Sequence, residues 1–142
     1  MKKFTILPLI FLGIYVILIP TVNAGRSYTL DQVVSSVISA EACSEGEIGM
    51  YAVANVVSNR SKKYNMTPYE VVTQKNQFYG YTADNREELY NQCGKISDKL
   101  TVKIMELDDV TNGAIYFRKI GEKKRSWHLV FTVKIGKHIF YK

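Results

Sequence analysis

The sequence predicts an α+β domain, mainly helical, closed at its C-terminal end by a small antiparallel β-hairpin or sheet. Three observations predict it. Thr29-Leu30-Asp31-Gln32 has the form of a capping box and is followed by apolar residues at helical spacing. Thr67-Pro68-Tyr69-Glu70 places an N-cap, a proline at the first helical position and a glutamate at the third. Near the C-terminus, two short β-prone runs flank Gly136-Lys137.

The first helix is expected over Leu30–Ala42, with Val33, Val34, Val37 and Ile38 on one face, and Ser44-Glu45-Gly46 ends it. A second helix is expected from Glu47 to Lys63, buried through Ile48, Ala52, Val53, Val56 and Val57. Asn59-Arg60 lies near its C-terminal end, where the helix dipole favours a cation. The third helix starts at Pro68 and ends near Gln74. Gln77-Phe78-Tyr79-Gly80-Tyr81 reads as an ordered loop, and a fourth helix is expected from Arg86 to Leu107 with a break at Gly94. Asp108–Gly113 is a turn region, and Ala114-Ile115-Tyr116-Phe117 a short strand. Phe131–Ile135 and His138–Tyr141 form a hairpin in which glycine at the first central position predicts a type II′ turn.

The N-terminus reads as a leader. Lys2 and Lys3 precede an apolar run from Phe4 to about Ile19, and Val22 and Ala24 occupy the −3 and −1 positions of a cleavage site. Residues 1–24 are therefore expected to be a signal peptide and residues 25–142 a single catalytic domain. The alternative is an uncleaved membrane anchor, against which the apolar run falls short of the ~20 residues that a span needs; after cleavage no stable membrane insertion is expected. The expected location is outside the cytoplasm, in the periplasm or the cell wall and extracellular space.

The net charge of +6 suits an anionic partner, and export favours the bacterial wall over nucleic acid, for which the chain carries no motif. The two histidines and two cysteines are scattered, without a short-spaced ligand pair, so neither a metal site nor a cofactor is expected. In an oxidising compartment Cys43 and Cys93 are a candidate disulfide that would close a loop of about 50 residues and contribute roughly 3–4 kcal/mol.

Glu41 carries the most chemical information. It falls three, four and seven residues after Ile38, Val37 and Val34, on the apolar face of the first helix. Burial disfavours the charged form, and a carboxylic acid kept neutral can protonate the leaving oxygen of a glycosidic bond. Periodicity alone leaves open a rotation that brings Glu41 to solvent or to Arg60.

Ala40-Glu41-Ala42-Cys43-Ser44-Glu45 followed by Gly49, Ala52-Val53, Val56 and Asn59-Arg60 resembles the first motif of the SleB-type cell wall hydrolases, the catalytic domain of spore cortex-lytic enzymes. Gln77-Phe78 is similar to that family's second block. Thr111 to Phe117, Trp127 and Ile135 to Tyr141 are similar to its C-terminal blocks. The resemblance implies a lysozyme-like domain, related to lytic transglycosylases, that cleaves peptidoglycan glycan strands between N-acetylmuramic acid and N-acetylglucosamine. It implies Glu41 as the catalytic acid. The chain departs from the family at Cys43-Ser44, where Arg-Gly is usual, so that arginine's role is absent or moved and a disulfide is available to hold the helix end.

Glu45, four residues after Glu41, is the candidate for a second carboxylate, which a two-carboxylate hydrolase requires. Asn59, Arg60, Gln77, Phe78, Tyr116, Trp127 and Tyr141 are the candidate substrate-binding residues. Tyr79 and Tyr81 add flat amphipathic faces of the kind that sugars stack on. Arg60 is open to two further roles, as a partner of Glu41 or a contact for a muramyl carboxylate. The competing functions are a Cys–His endopeptidase of the same wall, with Cys43 as nucleophile and His128 or His138 as base, and a non-catalytic wall-binding module. A monomer with peptidoglycan as its partner is expected.

Overall fold

The structure is a computed structural model, and it describes residues 27–123 and 128–142. The leader and Trp127 lie outside the described residues.

The first helix, α1, spans Leu30–Ala42 as the sequence predicts. Its capping box closes in both directions: Gln32 N–H donates to Thr29 Oγ1 at 3.2 Å and Thr29 N–H to Gln32 Oε1 at 2.9 Å. A 3₁₀ turn, Cys43–Glu45, leads into α2, Gly46–Tyr64. Helix α2 buries Gly49, Met50, Ala52 through Ser58, Arg60 and Ser61, so it has little free face and forms the centre of the core. Helix α3, Pro68–Thr73, carries the second capping box, with Thr67 and Glu70 as its partners.

Two sequence expectations are corrected in the next segment. The stretch read as a loop contains a one-turn helix, α4, at Tyr79–Thr82. The following helix, α5, runs unbroken over Arg86–Val102 and stops before Leu107, with a 3₁₀ turn at Ile104–Glu106. Gly94 does not break α5 because a tight contact needs a small residue there. A Cβ at that position would stand 2.7 Å from the Tyr90 ring.

Helix α1 packs most extensively on α5, with further contacts to α2, α3 and α4. The α1–α5 seam holds hydroxyls as well as apolar groups. Ser97 Oγ lies 2.7 Å from Ser35 Oγ and 2.8 Å from Ser39 Oγ, and Ser35 also donates to Asp98. These buried polar atoms are therefore satisfied within the seam. A disulfide between Cys43 and Cys93 ties the end of α1 to α5.

The sheet has three strands, β1 (Tyr116–Lys119), β2 (Phe131–Ile135) and β3 (His138–Tyr141), in the order β1-β3-β2 with antiparallel neighbours. Strand β1 begins two residues later than the sequence suggests. The β2–β3 hairpin turns at Gly136, φ 56°, while Lys137 keeps a negative φ, as a type II′ turn requires. The register shifts between Phe131 and Val133, leaving Thr132 as the extra residue of a bulge. Phe140 at the centre of β3 is fully buried in the core that α1 and α2 supply. No helix among the described residues is long and apolar enough to cross a membrane.

Candidate active site

A groove of about 950 Å³ runs between the helical body and the sheet. Its walls are Glu41 from α1, Val56 and Arg60 from α2, and Gln77, Phe78 and Tyr79 around the start of α4. The sheet side contributes Ile115 through Lys119, with Glu122, Lys123, His128, Leu129, His138 and Tyr141.

Glu41 is only 8% exposed, yet it faces this groove. The α1 periodicity puts it inward, and α4 then closes over it: the Gly80 N–H donates to Glu41 Oε1 at 2.5 Å, and the Tyr79 N–H adds a weaker contribution. The approach of α4 to α1 requires glycine at position 80. A Cβ there would stand 2.8 Å from the Val37 carbonyl oxygen, 3.0 Å from Ala40 Cβ and 3.1 Å from Glu41 Cγ. Burial raises the Glu41 pKa above its ordinary 4.5. The Gly80 hydrogen bond and the Lys119 charge oppose that rise, and the Glu122 charge adds to it. The net result is a carboxyl group biased toward its protonated form at the floor of an accessible groove. Such a group can deliver a proton to a bound ligand.

Arg60 does not pair with Glu41. Its Nε donates to the Ile115 carbonyl at 2.7 Å and its Nη2 to Gln77 Oε1 at 2.9 Å. The guanidinium lies between two rings, 5.3 Å from the centroid of Phe78 and 5.2 Å from that of Tyr116. Burial lowers its pKa, and the Tyr116 and Tyr64 phenols offset part of that effect. An arginine remains charged even so.

Gln77, Phe78, Tyr116 and Tyr141 all line the groove with Arg60, and Tyr79, 76% exposed, stands at its edge. The Tyr141 hydroxyl accepts from Arg118 Nε at 2.9 Å. Tyr81 instead packs toward the core beneath Arg86.

Two residues selected from the sequence are engaged elsewhere. Asn59 is not in the groove wall. Its Nδ2 donates to the Ala114 carbonyl at 3.0 Å, to Asp109 at 3.2 Å and to Thr111 at 3.3 Å, and so fastens the turn that leads into β1. Glu45 lies outside the wall as well. Its Oε2 accepts the Lys137 N–H at 2.8 Å, which anchors the hairpin turn to the start of α2. Cys43 is bonded to Cys93, and no cysteine is free, so the thiol needed by the endopeptidase reading does not exist in this fold. His138 is fully buried, with both ring nitrogens unpartnered, and stands edge-on to Phe117 at 5.3 Å. Burial lowers its pKa first of all, and the nearby Lys119 adds to that against the opposing charges of Glu45 and Glu122.

Sequence reasoning missed Glu122, the groove's other carboxylate. It sits in the turn after β1, where its Oε2 accepts the Lys119 N–H at 3.1 Å and its carbonyl accepts from Arg118 Nη1 at 2.7 Å. The Gly121-Glu122 pair was the available signal, since glycine marks a turn and a glutamate beside it can close that turn onto the strand. No group of histidine, cysteine, aspartate and glutamate among the described residues could hold a metal ion.

The profile of the protein family described as Cell Wall Hydrolase matches residues 44–141, more than half of the chain, starting three positions after Glu41. Two solved structures are similar. One is the catalytic domain of the germination-specific lytic transglycosylase SleB from Bacillus anthracis, 26% identical, covering 85% of this chain and 100% of that one with a TM-score of 0.65. The other is the catalytic domain of the Bacillus cereus SleB protein, 23% identical, covering 82% of this chain and 94% of that one, also with a TM-score of 0.65. Comparison with curated proteins finds no significant match.

Proposed function

The chain belongs to the cell wall hydrolase family, and from that premise we propose that it is a lytic-transglycosylase-type enzyme that cleaves glycan strands between N-acetylmuramic acid and N-acetylglucosamine, with Glu41 as the proton donor. The observation that carries the reading is the position of Glu41: almost fully buried, raised in pKa by that burial, and still part of the groove wall.

In this reaction the protonated Glu41 gives its hydrogen to the glycosidic oxygen as the bond from that oxygen to C1 breaks. The resulting carboxylate takes the proton of the muramic C6 hydroxyl as the C6 oxygen bonds to C1. The products are a 1,6-anhydro end and a free hydroxyl on the departing strand, and Glu41 is protonated again. The backbone N–H groups of Gly80 and Tyr79 steady the carboxylate during the interval in which it is charged. Tyr79, exposed at the groove edge, and the half-buried Tyr116 offer ring surface for the sugars, Phe78 and Tyr141 back the wall behind them, and Gln77 offers a carboxamide for hydroxyl or acetamido groups.

Glu122 supports a second reading. A carboxylate across the same groove could activate water, and the product would then carry a reducing end. Digesting purified peptidoglycan and weighing the released muropeptides separates the two. The proposed reaction releases anhydro-muropeptides. Reducing ends that disappear in Glu122→Gln favour hydrolysis, and binding without release of fragments identifies a wall-binding module.

We place the enzyme outside the cytoplasm as part of the same proposal. The Cys43–Cys93 disulfide suits an oxidising compartment, and the substrate is there.

A further inference from the structure

Arg60 is a buried cation with no carboxylate against it among the described residues. It is 5% exposed, its Nε and Nη2 donate to the neutral oxygens of Ile115 and Gln77, and its Nη1 has no acceptor among the described residues. Its charge is met inside the fold by two ring faces and two neutral oxygens rather than by an anion, so an anion reaching it would gain a strong partner. The same side chain lines a second hollow of about 450 Å³, formed by Arg60, Tyr64, Gln74, Lys75, Gln77 and Tyr116. Arg60, Gln77 and Tyr116 also belong to the wall of the main groove, so the two spaces adjoin across these three side chains. The lining of the second hollow contains two cations, two carboxamides and two phenols, with no acidic residue.

We propose that this hollow is a subsite for a carboxylate of the peptide side chain carried by the glycan strand. This rests on the reading of the groove as a glycan site. In this proposal a muramic residue in the groove turns its lactyl arm, from which the peptide extends, toward the wall that the two spaces share. Arg60 then supplies a buried charge and Lys75 an exposed one. Gln74 and Gln77 can donate amide hydrogens to the same anion. The subsite makes the enzyme selective for peptide-bearing strands over bare ones.

Lys75→Glu tests this, because Lys75 lines the hollow and not the groove. On peptide-bearing glycan KM is expected to rise roughly 3- to 10-fold with kcat held, as for loss of a rim charge. On glycan stripped of its peptides by an amidase, with the lactyl carboxylate so freed converted to its neutral amide, KM is expected to move less than about 2-fold. Equal effects on both substrates would overturn the proposal. Failure of the wild-type enzyme to cleave either substrate would sink the cleavage reading instead. The subsite is still judged by a titration of Glu41→Gln protein with the amidase-released peptide, followed by backbone amide NMR. Shifts at Tyr64, Lys75 and Tyr116 with the free acid, and none with its methyl esters, support the subsite. No shifts, or the same shifts with both, overturn it.

Discussion

The carboxylate of Glu41 accepts the backbone N–H of Gly80 at 2.5 Å, and the two residues approach too closely for a side chain at position 80. A Cβ on residue 80 would be 3.1 Å from Glu41 Cγ and closer still to the α1 backbone at Val37. The one-turn helix α4 therefore fixes the acid by backbone contact alone.

Gly80→Ala is accordingly expected to push α4 away from α1. Overpacking of this kind costs typically about 1–3 kcal/mol, readable as a lower urea midpoint. The turnover of the protein that remains folded should drop as well, by about 10-fold or more, because the acid loses its backbone donor. A variant with wild-type stability and turnover would show that the close approach is not needed.

Glu41 also makes stability depend on pH. Its folded pKa is raised above 4.5, so between 4.5 and the folded value the native state holds a proton that the unfolded chain has released. The stability from this group is full below 4.5 and is lost as pH rises through the folded value. His138 works in the opposite sense. Its folded pKa is lowered below 6.5, so its stability is full above 6.5 and is lost as pH falls through the folded value. The Glu41 effect is isolated by comparing the wild type with Glu41→Gln, which is neutral throughout. In urea unfolding from pH 4 to pH 8, the variant is expected to gain stability relative to the wild type as pH rises. Parallel curves would contradict the raised pKa.

The Cys43–Cys93 bond joins residues 50 positions apart. Chain-entropy reasoning gives about 4 kcal/mol for a loop of that length. Reduction, Cys43→Ser and Cys93→Ser are all expected to lower the melting temperature by similar amounts and to depress activity only through loss of folded protein. Activation by a reducing agent, or loss of activity in Cys43→Ser alone, would restore the thiol mechanism.

Asn59→Ala removes the amide whose two N–H groups are shared among Ala114, Asp109 and Thr111 and hold the turn before β1. The buried acceptors at Ala114 and Thr111 lose a partner while the exposed Asp109 turns to water, and the expected loss is about 1–3 kcal/mol of stability. KM for peptidoglycan is expected to stay unchanged in the folded fraction. A raised KM at wild-type stability would instead mark Asn59 as a substrate contact.

Much of this architecture was legible in local chemistry. Thr29 with Gln32 and Thr67 with Glu70 announce their helices because a capping box needs only four consecutive residues. Gly136 announces the hairpin for a similar reason, since a II′ turn needs one residue at positive φ. The place of Glu41 on the apolar stripe follows from α1 periodicity, but its burial does not, since a rotation of the helix toward solvent or Arg60 fits the same spacing. Nor does what closes over it: α4 is too short for any period to show, and Gly80 is there for a contact with residues some forty positions earlier. Gly94 misled because a glycine that makes room for the ring of Tyr90 looks, in sequence, like one that ends a helix. Asn59 and Glu45 carry the right chemistry for ligand binding, and only the fold shows Ala114 and Lys137 engaging them first. The three-way serine contact at Ser35, Ser39 and Ser97 joins helices distant in sequence and leaves no local signal.

The most direct test is the turnover of Glu41→Gln on purified peptidoglycan, measured as soluble muropeptide released per folded enzyme. Gln keeps the shape and can still accept the Gly80 N–H, but it has no acidic proton to give. The account predicts a fall of at least about 100-fold, in the range of general acid catalysis, with the circular dichroism spectrum unchanged. Release at the wild-type rate would contradict it.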